Sequence, residues 1–225
     1  MDVLMMIMEI AGTIAFAISG AVTGLKKNMD IFGISILGLT TAVGGGIIRD
    51  LLVGITPPIT FRDPVYALTA IATSIIVFLP SVRRVVLSSG KLSSRLLLLT
   101  DSLGLAVFTV SGVQVAFSVS QSYDVFLLVF LGTVTGVGGG VMRDIMAGNT
   151  PYIFVKHIYA CAAILGALLC ALLWRAVGSG YAMLIGLCAI FVLRLLSAHF
   201  RWSLPKAHML PQETAAEEKK QNPPA

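Results

Sequence analysis

Val43-Gly44-Gly45-Gly46-Ile47-Ile48-Arg49-Asp50 and Val137-Gly138-Gly139-Gly140-Val141-Met142-Arg143-Asp144 are two copies of one motif, offset by 94 residues. Each lies within an apolar run long enough for a bilayer-spanning helix, which needs about 20 residues. The likeness extends beyond the motif. Phe16-Ala17-Ile18-Ser19-Gly20 matches Phe108-Thr109-Val110-Ser111-Gly112 at an offset of 92, and Glu9 matches Asp101 at the same offset. Pro57 and Pro151 keep the offset of 94. The difference of two residues fits within the loop joining the first two spans of each unit.

Composition sets the solvent of this fold. Of 225 residues, 56% are hydrophobic and 12% charged. Soluble domains carry about 25% charged residues, so the bilayer is the main surrounding of this chain. The pattern predicts an all-α membrane protein with seven transmembrane helices, at about 3–24, 31–53, 64–80, 96–119, 124–147, 156–175 and 180–199. The runs are continuous rather than alternating, which disfavours a strand barrel. Asp2 and Glu9 stand where a secretory signal needs basic residues, so the first segment is expected to remain a span.

Each repeated unit has three spans. An odd number turns the second unit upside down when the two are placed in series. The expected architecture is thus two inverted three-helix repeats plus a seventh helix, a plan used by many transport proteins. Repeat one covers about 3–80, repeat two about 96–175, and the seventh helix about 180–199, within a transmembrane domain of 1–200. Residues 201–225 mix Pro205, Pro211, Pro223 and Pro224 with Glu213, Glu217, Glu218, Lys219 and Lys220. They read as a polar, disordered cytoplasmic tail.

The net charge of +5 reflects topology. Lys26, Lys27, Arg83, Arg84, Lys91, Arg95, Lys156, Arg201 and Lys206 fall on one side of the predicted spans, and only Arg62 and Arg175 on the other. The excess marks the cytoplasmic side, with the N-terminus outside and the C-terminus in the cytoplasm. No basic face with aromatic platforms accompanies these charges, so nucleic acid is not an expected partner. Cys161, Cys170 and Cys188 lie inside apolar segments without ligand spacing and read as packing residues. His157 reads as interfacial. No nucleotide-binding run or hydrolase constellation stands out, so neither an enzyme nor a cofactor is expected.

Three consecutive glycines cost about 1 kcal/mol each relative to alanine in a helix and invite a kink or a local break. Broken backbone at membrane depth is tolerated where it is buried or lines a wet cavity. Freed carbonyls of Gly44, Gly45, Gly138 and Gly139 could then coordinate a monovalent cation, or freed N–H groups a carboxylate. Close helix packing is the competing reading. Arg49, Asp50, Arg143 and Asp144 follow the triplets, and charges at such depth point to function. Adjacent residues do not share a helix face. Each arginine is therefore expected to pair across the pseudo-two-fold axis, or with Glu9 and Asp101, rather than with its own aspartate. Capping of a cavity mouth is the alternative role.

The doubled motif, the span count and the basic cytoplasmic loops resemble the prokaryotic trimeric intracellular cation (TRIC) channel family, also grouped as a glycine transporter domain family. The resemblance covers about residues 3–200. It implies a homotrimer in the inner membrane with a pore through each protomer, lined by glycine-kinked second and fifth helices with the first and fourth. Potassium and sodium are the ions it implies. Gly44, Gly45, Gly46, Gly138, Gly139 and Gly140 would sit at the kinks, with Arg49, Asp50, Arg143 and Asp144 close by. A secondary transporter of glycine or another small amino acid, and a membrane protein using its glycines only for packing, are the other readings the residues allow.

Overall fold

The computed structural model describes residues 3–119, 124–155 and 158–202. Its helices are α1 (Val3–Lys26), α2 (Ile31–Leu52), α3 (Ile59–Arg62), α4 (Val65–Phe78), α5 (Pro80–Leu87), α6 (Gly90–Val119), α7 (Val125–Met146), α8 (Tyr152–Val155), α9 (Tyr159–Val177) and α10 (Ser179–His199). No strand occurs among the described residues. The polar tail, from 203 onward, and the Lys156–His157 pair lie outside the described residues.

The chemistry at the helix ends explains where the second span of each unit starts and stops. Asp30 opens α2 by accepting the Gly33 N–H at 2.7 Å, and Asp124 opens α7 by accepting the Phe126 N–H at 3.0 Å. Such caps satisfy amides that a helix start leaves unpaired. Past the far ends, Gly54 (φ +77) and Gly148 (φ +66) adopt the left-handed conformation. The amides of Ile55 and Asn149 then return to the carbonyls of Asp50 and Asp144, each at 2.8 Å. A glycine-closed helix end of this kind sends the chain back toward the bundle.

Among the described residues, six helices are long and apolar enough to cross a membrane: α1, α2, α6, α7, α9 and α10. α4 and α5 pass the same test only as a pair, bent by 73° at the break between them, so the crossings number seven where that pair is one span. The expected span over 64–80 therefore ends early, at Phe78. Pro80 lacks an N–H and forces the residue before it out of the helical region, and Leu79 is extended at φ −52, ψ 139. Other expected edges move by a few residues, with α6 starting at Gly90 rather than 96 and α9 covering 159–177 rather than 156–175. Arg83 and Arg84, read as loop residues, ride on α5, while Lys91 and Arg95 occupy the first turns of α6. All four are exposed.

Packing reproduces the duplication. α1 packs on α2 and α4 as α6 packs on α7 and α9, and the units meet through α1 with α6 and α2 with α7. The equivalent residues Phe16 and Phe108 stack with ring centroids 5.4 Å apart. Equivalent residues meet only near the axis that relates their repeats, so this stack marks the axis. α10 has no equivalent among the described residues and lies against α6 and α9.

Candidate functional site

Two charged clusters are built from equivalent positions in the two repeats. In the first, Arg49 on α2 donates from Nε to Asp50 Oδ1 at 2.9 Å, and its Nη2 lies 2.8 Å from the same oxygen. Its Nη1 donates to Ser111 Oγ at 3.2 Å, on the opposite repeat. Ser111 in turn donates to Glu9 Oε1 at 2.8 Å, and the Tyr66 hydroxyl donates to Glu9 Oε2 at 2.8 Å. In the second cluster, Arg143 Nε donates to Asp144 Oδ1 at 2.9 Å, and Nη1 donates to Ser19 Oγ and Asp101 Oδ1. Each guanidinium thus spans the pseudo-two-fold axis to a serine of the other unit.

The pairing corrects one expectation. Arg49 and Arg143 both pair with their own aspartates, because the long guanidinium arm folds back beside the helix and does not need a shared face. The aspartates sit in the last helical turn and have a second task. Asp50 Oδ2 accepts the Ile59 N–H at 2.8 Å, and Asp144 Oδ2 accepts the Tyr152 N–H at 2.9 Å. One carboxylate therefore fixes its arginine and anchors the chain that follows. Asp101 meets Arg143 directly, as expected, whereas Glu9 reaches Arg49 only through Ser111.

The glycine triplets also differ from expectation. α2 and α7 stay α-helical through them, so no break releases carbonyls for a cation. The helices cross here instead. A Cβ built on Gly45 would lie 2.1 Å from the Thr135 carbonyl oxygen, and one on Gly139 would lie 2.1 Å from the Thr41 carbonyl oxygen. A Cβ on Gly138 would meet Gly45 Cα at 3.0 Å, and one on Gly44 the Met142 sulfur at 2.4 Å. Backbone-to-backbone approach this close offsets the poor helix propensity of the triplets.

The third glycine of each triplet behaves differently. Gly46 borders a cavity of about 170 Å³ that is also lined by Glu9, Thr13, Arg49, Tyr66 and Gln114. A Cβ there would meet only Arg49 Nη2, at 3.8 Å. At the equivalent Gly140, a Cβ would lie 2.9 Å from the Tyr159 hydroxyl and 3.7 Å from Asp101 Oδ1. Arg143 is 0% exposed, Asp101 and Asp144 1%, and Tyr159 3%. Among the described residues, the space beside Gly46 is hollow, whereas the space beside Gly140 is filled by the Tyr159 hydroxyl.

Sequence reasoning missed four members of these clusters. Ser19 and Ser111 appear in the matched segments without an assigned role. Tyr66 and Tyr159 correspond at an offset of 93, one residue short of the 94 kept by Pro57 and Pro151, so finding them needs a one-residue gap before the third spans. Arg194 on α10 was also passed over. Its guanidinium carbon lies 4.6 Å from the centroid of the Tyr159 ring.

Comparison with known proteins bears on what such a bundle does. A family model described as glycine transporter matches residues 6–81 and 98–175. The UPF0126 membrane protein YvgT of Bacillus subtilis is 34% identical over 199 residues, covering 88% of this chain and 94% of that protein. The UPF0126 inner membrane protein YadS of Escherichia coli is 35% identical over 200 residues, covering 88% of this chain and 93% of the relative. Among solved structures, one describing conductance through TRIC cation channels superposes with a TM-score of 0.79 at 37% identity, over 91% of this chain and 97% of the other. A prokaryotic TRIC channel crystallised in 0.5 M KCl gives a TM-score of 0.82 at 30% identity, over 91% and 100%.

Proposed function

The chain belongs to the glycine-transporter family and is a membrane protein with the fold of the prokaryotic TRIC channels; from that premise we propose that it is a passive channel for monovalent cations, chiefly potassium and sodium. The observation that carries this reading is the hollow cluster. Its cavity presents the Glu9 carboxylate, with Arg49 already held by Asp50. Two acids against one base leave that cluster with one excess negative charge, which favours a cation over an anion. A weakly held, hydrated ion suits conduction, which needs a site that binds and also releases.

In this proposal the path follows the axis between the repeats, from the cavity at Gly46 toward Gly140. Gly44, Gly45, Gly138 and Gly139 hold α2 and α7 together beside the path, and their carbonyls are not the cation site. Arg49, Asp50, Arg143 and Asp144 shape its two ends, with Glu9 and Asp101 as the acidic groups. The relatives' names support a homotrimer in the plasma membrane of a prokaryote. The loop charges support an external N-terminus and a cytoplasmic C-terminus.

Purified protein in planar bilayers tests the reading. Unitary currents in symmetric potassium chloride, with a reversal potential in a salt gradient that favours potassium over chloride, are the expected result. Silence in that assay, with saturable glycine uptake into vesicles, would replace the channel with the transporter. Within the channel, Glu9→Gln removes the excess charge of the cavity. Its expected effect is a drop in cation-over-anion selectivity of several-fold, roughly the weight of one partly screened charge, with the protein still folded. Reversal potentials measure it.

A further inference from the structure

The two clusters differ by one residue that the duplication does not supply. Repeat one brings together Glu9, Asp50 and Arg49, two acids and one base. Repeat two brings together Asp101, Asp144 and Arg143 in the same proportion, but α10 adds Arg194 against Tyr159. Arg194 is 3% exposed. Among the described residues no such helix covers repeat one, where the chain after the third span turns into the short α5. The half with the added cation is the half that is filled, and the half without it holds the cavity.

Resting on the channel reading, we infer that Arg194 is the residue that holds the second half of the path shut. It acts in two ways. Its guanidinium lies on the face of Tyr159, an attraction that strengthens away from water. That pins the tyrosine so that its hydroxyl fills the groove beside Gly140, the groove that stands open beside Gly46. It also balances the excess carboxylate of the cluster. An unbalanced carboxylate buried at this depth is costly and is relieved by admitting water or a cation. With Arg194 seated, nothing is gained by hydration, and the half stays closed. Arg194 is thus a positioning residue acting through Tyr159, and α10 is the element that makes a symmetric duplication conduct asymmetrically.

The test separates this inference from the channel reading by using a readout that needs no current. Ser19, which accepts from Arg143, is replaced by cysteine in a chain whose Cys161, Cys170 and Cys188 are alanine. The probe is a small, water-soluble, positively charged methanethiosulfonate applied to proteoliposomes. Arg194→Gln is expected to speed modification about tenfold or more, as a shift from a closed to a hydrated population would. Arg194→Lys, which keeps the charge, is expected to stay close to the parent rate. Tyr159→Ala, which removes both the wedge and the ring on which Arg194 is seated, is expected to match Arg194→Gln. An unchanged rate in either folded variant overturns the inference, and so does a lysine variant as fast as the glutamine one. Currents are recorded alongside, with larger open probability expected for Arg194→Gln. If neither the parent nor the variant conducts, the channel reading falls, while the modification rates still decide the role of Arg194.

Discussion

Alanine at Gly45 or Gly139 is expected to destabilise the protein sharply, while alanine at Gly46 leaves stability nearly intact. The added methyl at Gly45 or Gly139 would stand 2.1 Å from a carbonyl oxygen of the facing helix. That oxygen belongs to backbone and cannot swing aside, so the two helices must separate. Overpacking of this sort costs about 1–3 kcal/mol, and a leucine should prevent assembly altogether. At Gly46 the nearest atom is the end of an arginine at 3.8 Å, so the methyl enters the cavity instead. Its effect should fall on ion flux. Thermal unfolding in detergent, read by size-exclusion chromatography, measures the first pair, and bilayer currents measure the second. Equal losses of stability at all three positions would contradict the division of labour drawn for the triplet.

Arg143→Gln is expected to be the most damaging single substitution among the charged residues. Asp101 and Asp144 would be left facing each other at 1% exposure each. Removing one partner of a buried ion pair costs about 3–5 kcal/mol, and here two carboxylates lose the same partner. Arg49→Gln should cost less. Arg49 and Glu9 border a cavity, and Glu9 keeps its bonds from Ser111 and Tyr66. The comparison is therefore between equivalent residues whose surroundings differ. Denaturation midpoints of the two variants, measured in the same detergent, check it. A larger loss at Arg49 would show that the filled half is not the better sealed.

Much of the architecture was legible because the bilayer imposes a length on apolar runs and the duplication repeats its landmarks. The spans over α1, α2, α7 and α10 emerge almost at their edges. The third span emerges nearly as well, at 65–78 against 64–80, but the bend after it does not, because only the backbone restriction at Leu79-Pro80 betrays it. The triplets were legible as special and illegible in purpose. Glycine reads the same whether it frees a carbonyl or admits a neighbouring helix, and only the Thr41 and Thr135 carbonyls opposite decide between them. The arginine–aspartate pairs were misread by treating side chains as points on a wheel. An arginine long enough to fold back ignores that geometry. Arg194 was invisible to an argument from symmetry, since α10 belongs to neither repeat.

The bend after Phe78 has a consequence for the surrounding lipid. α4 has 14 residues, about 21 Å at 1.5 Å per residue, against a hydrocarbon thickness of about 30 Å. α5 leaves it at 73° and carries two exposed arginines, so it cannot extend the hydrophobic column. A bilayer that meets α4 is expected to thin there, and mismatch of this kind costs fractions of a kcal/mol per Å. A protein shaped this way should work best in thin membranes. Lengthening the acyl chains of a reconstituted bilayer should act on it as a mechanical load applied at one edge.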